Sequence, residues 1–501
     1  MNLVMLLEMA AEAFPERHAV TADGQSYSYS QLLRAAHAAA HRFRAAGADY
    51  VALLDTNSVA VPIALFGAAF AGIPYVPLNY RLTGSELEAL LARIAPAQLI
   101  AAPEYVQPLA LPAGIQLETR ADFLAAVLAA DAEPIAPETA PEDIAIQLFT
   151  SGTTGAPKAA VLRHENLMSY ILGTVDFGGA DERDAILVTV PPYHIAGISA
   201  VLSATYAGRR MVQLPNFEAG EWLRLCRDEH ISNAFLVPTM LTRVVDHLQQ
   251  QSSPAMLPHL RAIAYGGGKM PLAVIERAMA LFPAVDFTNA YGLTETSSTI
   301  CLLDPAAHRA AAASEDADIR KRLASVGQPI GTVELQVRGD DGGVLAANRV
   351  GDVFVRGGQV SGEYLGLGSL LDAEGWFPTR DRGYLDAEGF LFLDGRADDV
   401  IVRGGENISP GEIEEVLLSH PAVADAAVVA QASEQWGEAV AAAIVLQTNR
   451  TATIAELQQW VRERLRSSRV PEAIVFREQL PYNEMGKVLR RVIKQELATM
   501  R

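Results

Sequence analysis

The pattern of apolar and polar positions changes character along the chain. From about Tyr27 to Thr296, short runs rich in β-branched residues, such as YVALL and ILVTV, alternate with amphipathic helical runs. One helical run, from Gln31 to Gly47, has a candidate N-cap at Ser30 and ends at a glycine suited to a C-cap. Repeated alternation of strands and helices predicts mainly parallel sheets covered by helices, which bind ligands at the carboxyl ends of their strands.

Two further changes of pattern predict the domain organisation of an α/β protein. From Val326 the chain becomes a series of short, glycine-punctuated strands, which indicates an antiparallel β-rich subdomain. The last hundred or so residues mix helices and strands, starting with a helix near Pro410, which indicates a small α+β domain. We expect a large N-terminal domain over residues 1–397, including a β-rich subdomain at 326–397, and a C-terminal domain over 398–501.

Composition narrows the class of protein. A chain of 501 residues with half of its residues apolar indicates a globular protein of two or more domains. The formal net charge of -19 disfavours nucleic acid and anionic membranes as partners. Cys226 and Cys301 form no metal-binding or redox motif, so we expect them to be packing residues in a reducing compartment.

The most hydrophobic run, Val59 to Pro77, is long enough to suggest a membrane span at first sight. Pro62 and Pro74 interrupt the run, and the strand-like YVALL precedes it. These features favour a buried helix between two strands. The N-terminus also lacks the basic start and cleavage site of a signal peptide, so we expect a cytoplasmic protein without a membrane span.

A loop dense in hydrogen-bond donors is the strongest candidate for chemistry. An apolar strand leads into a Ser, Thr and Gly segment that ends in Lys158, and this is a composition suited to oxyanions such as phosphate. It is not a standard P-loop, because Lys158 lies between Pro157 and Ala159 and no Ser or Thr follows it to hold magnesium. The candidate phosphate-binding residues are Thr150, Ser151, Gly152, Thr153, Thr154, Gly155 and Lys158.

Four later clusters supply what this loop lacks. In NAYGLTET, Glu295 is a hard oxygen ligand suited to magnesium and Thr294 a phosphate contact. In TRDRGYLDAEGFLFLDGR, Asp381 could accept the hydroxyls of a ribose, and Arg396 could reach ribose or phosphate. The remaining two are the glycine turn and helix of DDVIVRGGENISPGEIEE, and Lys487 in NEMGKVLRR. By itself, NAYGLTET is more typical of an ordinary loop, the Asp381 and Arg396 turns of solvated residues, and Lys487 of a surface lysine.

Taken in order, the phosphate loop and these four clusters resemble the adenylate-forming enzymes, which include acyl- and aryl-CoA synthetases. The resemblance implies a reaction in which a carboxylate attacks the α-phosphate of ATP, and a thiol then displaces AMP from the acyl-adenylate. It implies that Lys487 bridges carboxylate and phosphate oxygens and that Glu295 holds Mg²⁺. The adenine site that it implies consists of Gly266, Gly267, Gly268, Asn289, Ala290, Tyr291 and Gly292.

The same resemblance implies a C-terminal domain that swings about a hinge at Asp398 between the two half-reactions. The swing withdraws Lys487 and brings in residues that line the thiol tunnel. These are Gly404, Gly405 and Glu406, joined by Trp436, which is as typical of a packed core position. Three positions depart from the common pattern of the family, namely Ala159, Arg380 and Met485, and of these Arg380 could alter nucleotide contacts.

The segment PPYHIAG carries the candidates for recognition of the acid. Tyr193 and His194 match positions beside the carboxylate pocket, with His194 as a candidate gate, although a packed loop histidine is the alternative. The other expected walls are Phe235, Val237 and Pro238. The segment contains no Asp to pair with an α-amine, so we expect a hydrophobic aryl, alicyclic or fatty acid.

The identity of the thiol acceptor stays open at this point. We expect an ATP-dependent acid–CoA ligase that uses Mg²⁺ and coenzyme A and acts as a monomer or homodimer. The first alternative is a ligase that loads the phosphopantetheine of an acyl carrier protein. The second is a non-catalytic adenylate-binding protein, which the presence of Lys158, Glu295, Asp381 and Lys487 disfavours.

Overall fold

The computed structural model describes residues 1–150, 157–250, 257–396, 399–404, 406–433, 435–483 and 486–499. The elements up to the phosphate loop are α1 (Val4–Ala13), β1 (His18–Ala22), β2 (Gln25–Ser28), α2 (Tyr29–Ala46), β3 (Tyr50–Leu54), α3 (Ala60–Ala71), β4 (Tyr75–Pro77), α4 (Gly84–Arg93), β5 (Ala97–Ala101), α5 (Pro103–Val106), β6 (Ile115–Thr119), α6 (Arg120–Ala129) and β7 (Ile144–Thr150). After the loop come β8 (Lys158–Arg163), α7 (His164–Thr174), β9 (Ala185–Val188), α8 (Ile195–Ala207), β10 (Arg210–Gln213), α9 (Ala219–Asp228), β11 (Asn233–Leu236), α10 (Pro238–Gln250), β12 (Ala262–Gly266), α11 (Leu272–Leu281), β13 (Asp286–Leu293), a 3-10 turn (Thr294–Thr296) and β14 (Ser298–Leu303).

The rest of the chain contains shorter strands and then a second mixed region. The elements up to residue 396 are α12 (Pro305–Ala313), α13 (Ala317–Lys321), β15 (Gln328–Pro329), β16 (Val333–Arg338), β17 (Gly351–Gly357), β18 (Glu363–Tyr364), β19 (Gly368–Ser369), β20 (Phe377–Leu385) and β21 (Leu391–Arg396). The final elements are β22 (Ile401–Arg403), β23 (Glu406–Ile408), α14 (Pro410–Leu418), β24 (Val423–Ser433), β25 (Gly437–Leu446), α15 (Ile454–Arg462), β26 (Ala473–Arg477) and α16 (Arg490–Thr499).

Two large sheets form the core of the α/β region, as the alternation predicted. In the first, the order is β15-β14-β13-β12-β11-β9-β10-β1-β2, and the strands from β13 to β1 run parallel. In the second, the order is β19-β18-β8-β7-β4-β3-β5-β6, and the strands from β7 to β6 run parallel. The prediction of an α/β fold with mainly parallel sheets is therefore confirmed.

The apolar run after β3 forms helix α3, and every residue from Ala60 to Phe70 is buried. It packs so closely on α2 that a Cβ on Gly67 would lie 2.7 Å from the Cβ of Ala39. The expected buried helix is thus confirmed, and no helix within the described residues is long and apolar enough to cross a membrane. Cys226 and Cys301 are also buried, which agrees with their expected role in packing.

Helix α2 begins two residues before the predicted position. Ser28, not Ser30, is its N-cap, because Ser28 has an extended backbone and forms a capping box with Gln31. The Gln31 amide donates to Ser28 Oγ at 3.3 Å, and the Ser28 amide donates to Gln31 Oε1 at 2.8 Å. This reciprocal pair satisfies two backbone donors, whereas a cap at Ser30 would leave the first turn unformed.

The stretch after residue 326 contributes to three sheets. Strands β16, β17, β20 and β21 form the expected antiparallel sheet. Strand β15, however, pairs with β14 of the first large sheet, and β18 pairs with β8 of the second. This part of the chain therefore ties the two large sheets together, at the end where the phosphate loop lies.

The C-terminal region has its own sheet and its own core. Its strands are ordered β23-β22-β25-β24, and β26 pairs with β25 in parallel. Helices α14 and α15 cover one side, where Ile413, Leu417 and Leu457 are fully buried. The predicted boundary at residues 397 and 398, and with it the hinge at Asp398, lies outside the described residues.

Candidate functional site

The two ends of the phosphate loop are held together as strand partners. Thr150 ends β7 and Lys158 begins β8, and the two residues face each other in an antiparallel pair. The Arg93 guanidinium donates to the Pro157 carbonyl at 2.6 Å and lies 5.0 Å from the centroid of the Phe149 ring. The predicted donors between these ends, Ser151, Gly152, Thr153, Thr154 and Gly155, lie outside the described residues.

The carboxyl ends of β11, β12 and β13 lie side by side at this same end. A Cβ on Gly266 would lie 2.1 Å from the Ala290 carbonyl oxygen and 3.4 Å from Cζ of Phe235, so the position requires glycine. Gly267 and Gly268 follow at once, with φ of +83° at Gly267. The predicted adenine segment and one wall of the predicted acyl pocket thus meet at adjacent strands.

Asn289 and Gly292 take structural roles within that segment. The Asn289 side-chain amide donates to the Ser325 carbonyl at 3.0 Å, so part of its hydrogen-bonding capacity is already used. A Cβ on Gly292 would lie 1.7 Å from the Ser298 carbonyl oxygen, because β13 and β14 pack closely there. Both residues therefore shape the backbone at the edge of the predicted nucleotide site.

Asp381 lies between Tyr291 and Arg396. The Tyr291 hydroxyl donates to one carboxylate oxygen at 2.6 Å, and Arg396 Nε donates to the other at 2.9 Å. Asp381 and Arg396 face each other on β20 and β21, and Asp381 is almost fully buried. Burial is the largest single effect and lowers the pKa of the Arg396 guanidinium, but the attractions to Asp381, Tyr291 and Glu295 together outweigh it, so the pKa is raised. These two hydrogen bonds therefore orient the Asp381 side chain in advance of any ligand.

Glu295 lies in the 3-10 turn beside Thr294, and Tyr364 holds it in place. The Tyr364 hydroxyl makes a short hydrogen bond to Glu295 Oε1. Ser361 and Gly362 donate their amides to the Glu295 carbonyl at 2.9 and 3.1 Å. Lys158 Nζ lies 5.6 Å from the centroid of the Tyr364 ring, so the loop cation and the acidic residue contact one phenol.

Glu295 fits the chemistry of a magnesium ligand. Its Oε2 accepts no hydrogen bond from the residues that the structure describes, and those residues include no group of three acidic, His or Cys side chains able to enclose a metal. Mg²⁺ is commonly held by one or two carboxylates together with substrate phosphates and water. A single buried carboxylate next to a phosphate loop matches that requirement.

Lys487 reaches the site from the far end of the chain. It lies at the end of a tight turn in which its amide donates to Asn483 Oδ1 at 2.8 Å and the Asn483 amide donates to the Lys487 carbonyl at 2.9 Å. Desolvation, and then the positive charge of Arg396, lower the pKa of its ammonium group, although the residue keeps exposed surface. Asp381 acts on the same group in the opposite direction, so Lys487 lies close to the Asp381–Arg396 pair.

The residues predicted to recognise the acid lie at the start of α8 and the end of β11. His194 is the N-cap residue of α8, and its ring lies 4.5 Å from the ring of Tyr193. Tyr193 is buried against Tyr80, with ring centroids 5.4 Å apart. Val237 and Pro238 are buried in the core beneath, while Phe235 keeps partial exposure.

Three of the predicted tunnel residues form a second group on the C-terminal domain. The Gly404 amide donates to the Trp436 carbonyl at 2.8 Å, and a Cβ on Gly404 would lie 3.0 Å from the Trp436 ring. Glu406 forms an ion pair with Arg469. Gly405, the fourth predicted member, lies outside the described residues. These contacts lie within the C-terminal domain, whereas Lys487 faces the N-terminal domain.

Tyr364 is the site residue that sequence reasoning missed. It lies in a short glycine-rich segment, GEYLGLG, which has no charged group after Glu363 and no motif for a nucleotide. No local signal in the sequence marks it, because its place at the site depends on the pairing of β18 with β8. Thr239 was missed in the same way, although a Cβ on Gly486, next to Lys487, would lie 2.9 Å from its Cγ2.

Two open surface cavities lie away from this site. One of about 860 Å³ is lined by residues of α1 and α2, including Glu8 and Arg34. The other, of about 430 Å³, surrounds the stacked rings of His230 and His259. Neither is lined by any of the predicted site residues. The candidate site is therefore defined by convergent charged groups and backbone shape.

Comparison with known proteins gives matches over nearly the whole chain. Residues 7–365 match the family described as AMP-binding enzyme, and residues 412–487 match the AMP-binding enzyme C-terminal domain. An indoleacetate–CoA ligase of Aromatoleum aromaticum is 30% identical, covering 99% of this chain and 98% of its own. A fatty acid–[acyl-carrier-protein] ligase of Streptomyces coeruleorubidus is 33% identical, covering 98% and 96%.

A solved structure has the same overall arrangement. The o-succinylbenzoate CoA synthetase of Bacillus subtilis, in complex with its acyl-adenylate intermediate, superposes with a TM-score of 0.81. It is 28% identical, and the match covers 98% of this chain and 97% of that one.

Proposed function

The chain belongs to the AMP-binding enzyme family and is an acid–thiol ligase, and on that premise we propose that it is an acid–CoA ligase that works through an acyl-adenylate. One carboxylic acid, ATP and coenzyme A would be its substrates, and AMP and pyrophosphate would leave. Residues of the candidate site can be assigned to each step of this reaction.

The convergence of Lys487 on the Asp381–Arg396 pair carries this proposal. Lys487 lies 106 positions after Asp381 in the chain, yet the charges of Asp381 and Arg396 both act on its ammonium group. Lys487 is a cation beside the oriented Asp381 carboxylate that would bind ribose. Such a cation can neutralise the charges of a substrate carboxylate and an α-phosphate as they react. Carboxylate and phosphate repel each other, so positive groups fixed in place lower the barrier as charge develops.

In the first step, a carboxylate oxygen of the acid attacks the α-phosphorus, and the bond to pyrophosphate breaks. Lys487 would contact the attacking carboxylate and the α-phosphate, while Lys158 would contact the phosphates beyond it. Asp381 would accept the ribose hydroxyls, since its two oxygens are already oriented by Tyr291 and Arg396. The segment from Asn289 to Gly292 would lie along adenine, with Thr294 donating to phosphate.

Glu295 would hold Mg²⁺ through its Oε2. When bound, the ion would supply positive charge to the phosphates of ATP and so favour departure of pyrophosphate. The Tyr364 hydroxyl keeps the other oxygen of the carboxylate engaged, which restricts the rotation of the Glu295 side chain.

In the second step, the sulfur of a thiolate attacks the acyl carbonyl carbon, and the bond to AMP breaks. Gly486, next to Lys487, packs against Thr239 of the N-terminal domain, whereas Gly404, Glu406 and Trp436 lie elsewhere on the C-terminal domain. We propose that a rotation about Asp398 withdraws Lys487 and brings in Gly404, Gly405, Glu406 and Trp436 to line the path of the thiol.

The acid is proposed to be hydrophobic, with an aryl, alicyclic or fatty chain. Phe235, Val237 and Pro238 are apolar, and His194 lies at the N-terminus of α8 where it can meet a carboxylate. The names of the relatives support this range, since they include ligases for indoleacetate and for a fatty acid.

A carrier protein is the second candidate acceptor. The relative that is 33% identical is named as a ligase for an acyl carrier protein, and such a protein presents the same phosphopantetheine thiol as coenzyme A. A protein that binds an adenylate without catalysis is disfavoured, because the chain has Lys158, Glu295, Asp381 and Lys487, the residues proposed to take part in the reaction.

A product assay by mass spectrometry tests the proposal. The protein is incubated with ATP, Mg²⁺ and one acid from each class, with coenzyme A, with a phosphopantetheinylated carrier protein or with neither. Acyl-CoA and AMP in equal amounts support the ligase, and acyl-adenylate that persists until a carrier is added supports the second acceptor. Absence of both products with every acid, combined with tight ATP binding, would refute both.

A further inference from the structure

Tyr364 connects two groups that lie on different sheets. Lys158 begins β8 in the second large sheet, whereas Glu295 lies in the turn after β13 of the first. The Tyr364 hydroxyl donates to Glu295, and its ring faces the Lys158 ammonium at 5.6 Å. One side chain therefore spans the cleft between the phosphate-loop cation and the magnesium carboxylate.

The backbone around Tyr364 is fastened on both sides. Tyr364 pairs with Ala160 in β8, and the neighbouring Glu363 forms a two-point ion pair with Arg163, at 2.8 and 2.9 Å. On the other side, the amide and hydroxyl of Ser361 donate to the Glu295 carbonyl at 2.9 and 3.2 Å. The segment is thus anchored to both elements that it links.

This arrangement also keeps opposite charges apart. If Lys158 and Glu295 formed a direct ion pair, Lys158 would be less available to bind phosphate and Glu295 less available to bind Mg²⁺. The phenol ring instead faces the cation with its π surface and engages only one carboxylate oxygen.

We propose that Tyr364 is a positioning residue that fixes the distance and orientation of Lys158 relative to Glu295, so that both act on one MgATP molecule. This inference rests on the proposed function. The Tyr364 hydroxyl orients Glu295 through its hydrogen bond, and the Tyr364 ring contacts the Lys158 ammonium. Removing them separately should therefore give two different defects.

The test is calorimetric binding of ATP without any acid, across a series of Mg²⁺ concentrations and in EDTA. In Tyr364→Phe we expect the Mg²⁺ concentration for half-maximal enhancement of ATP binding to rise roughly tenfold, as for other residues that support metal ligands. Binding in EDTA should match the wild type, because the ring under Lys158 remains. In Tyr364→Leu we expect the same Mg²⁺ defect and, in addition, weaker ATP binding in EDTA.

The matched control is Tyr29→Phe, which removes a buried phenol hydroxyl that donates to Ala204 and Arg209 carbonyls on the N-terminal core. It should bind ATP and Mg²⁺ as the wild type does. Wild-type Mg²⁺ dependence in Tyr364→Phe would overturn the inference and leave the proposed function intact. A wild-type protein that binds no MgATP would refute the proposed function itself.

Discussion

The Cα of Gly486 lies against the side chain of Thr239, so close that a Cβ would fall 2.9 Å from its Cγ2 and 3.0 Å from its Oγ1. Gly486 also has a φ of +71°, which side chains rarely adopt. The contact joins the turn before Lys487 to the first turn of α10. It therefore fixes where the lysine stands relative to the N-terminal domain.

Gly486→Ala should displace the Lys487 turn, because the methyl group meets Thr239 and the backbone conformation is strained. We expect the rate of adenylate formation to fall roughly 10- to 100-fold, as for a reacting group misplaced by about 1 Å. Thiolation of a supplied acyl-adenylate should stay within about twofold of the wild type, since the proposed domain rotation withdraws Lys487 from that step. Single-turnover measurements of each half-reaction check both values.

The double variant Gly486→Ala, Thr239→Ala provides the control. Removal of the Thr239 Cγ2 and Oγ1 relieves the steric contact and leaves only the strain in φ. We expect it to recover part of the lost adenylation rate. No recovery would mean that the contact does not position the turn.

Lys487→Ala should reduce adenylate formation by about 10²- to 10³-fold while sparing thiolation, because a fixed charge at the reacting phosphate is lost. Equal loss in both half-reactions would contradict the exchange of Lys487 for the tunnel residues. Single-turnover assays with acid and ATP, and separately with purified acyl-adenylate and coenzyme A, measure the two steps.

The pH dependence of adenylation gives a second test of Lys487. Desolvation and Arg396 lower its pKa below the usual 10.5, and the ammonium form is needed for charge neutralisation. The rate should therefore fall as pH rises through that lowered pKa. Lys487→Arg, which stays protonated in this range, should form the adenylate more slowly, but its rate should not fall at alkaline pH. If the rate of the variant still falls, another group is responsible for the pH dependence.

Arg380→Gly should separate backbone strain from nucleotide binding. Arg380 has a φ of +61°, immediately before Asp381, and its guanidinium is close enough to lower the pKa of Tyr364 against the larger effects of burial and Glu295. Glycine accepts this backbone conformation without the strain that a side chain incurs. The KM for ATP should rise roughly three- to tenfold at low salt and less at high salt.

Asn348→Gly is a suitable control, because Asn348 has a φ of +62° at an exposed position. It should leave the KM for ATP unchanged. Steady-state kinetics and thermal unfolding of both variants give the comparison. An unchanged KM in Arg380→Gly would remove Arg380 from the nucleotide site.

His164 should make the N-terminal domain sensitive to acid. It is buried and its Nδ1 accepts the Leu3 amide at 3.3 Å, and burial lowers its pKa from 6.5 to about 4. The neutral ring is therefore favoured in the folded state. The neutral His164 ring contributes fully to the free energy of unfolding above pH 6.5, and this contribution is lost as pH falls from 6.5 toward 4. Between pH 7 and pH 5, the free energy of unfolding should fall by about 2 kcal/mol.

His164→Gln keeps an acceptor for Leu3 but does not titrate in this range. We expect the melting temperature of the wild type to fall further than that of the variant when pH is lowered from 7 to 5. Identical falls in the two proteins would show that His164 is not the titrating group.

Much of the fold and part of the site could be predicted from sequence because their causes are local. Period-2 and period-3.6 patterns give the strand and helix order, and a strand followed by Ser, Thr, Gly and Lys158 indicates a phosphate loop wherever it lies. Asp381 and Arg396 could be paired in the same way, because 15 positions separate them across one strand-turn-strand unit. Even the early start of α2 at Ser28 is a local effect, which a capping box with Gln31 explains.

The tertiary structure alone decided which distant groups meet. Tyr364 and Glu295 are 69 positions apart, and Tyr291 and Asp381 are 90 apart. Their contacts depend on β18 joining the edge of the second sheet and on how β20 lies beside β13. Such proximity results from packing and strand pairing between remote segments, which leave no periodic signal in the chain. The sequence determined which chemical groups are present, and the packing of the sheets determined that one tyrosine holds two of them in place.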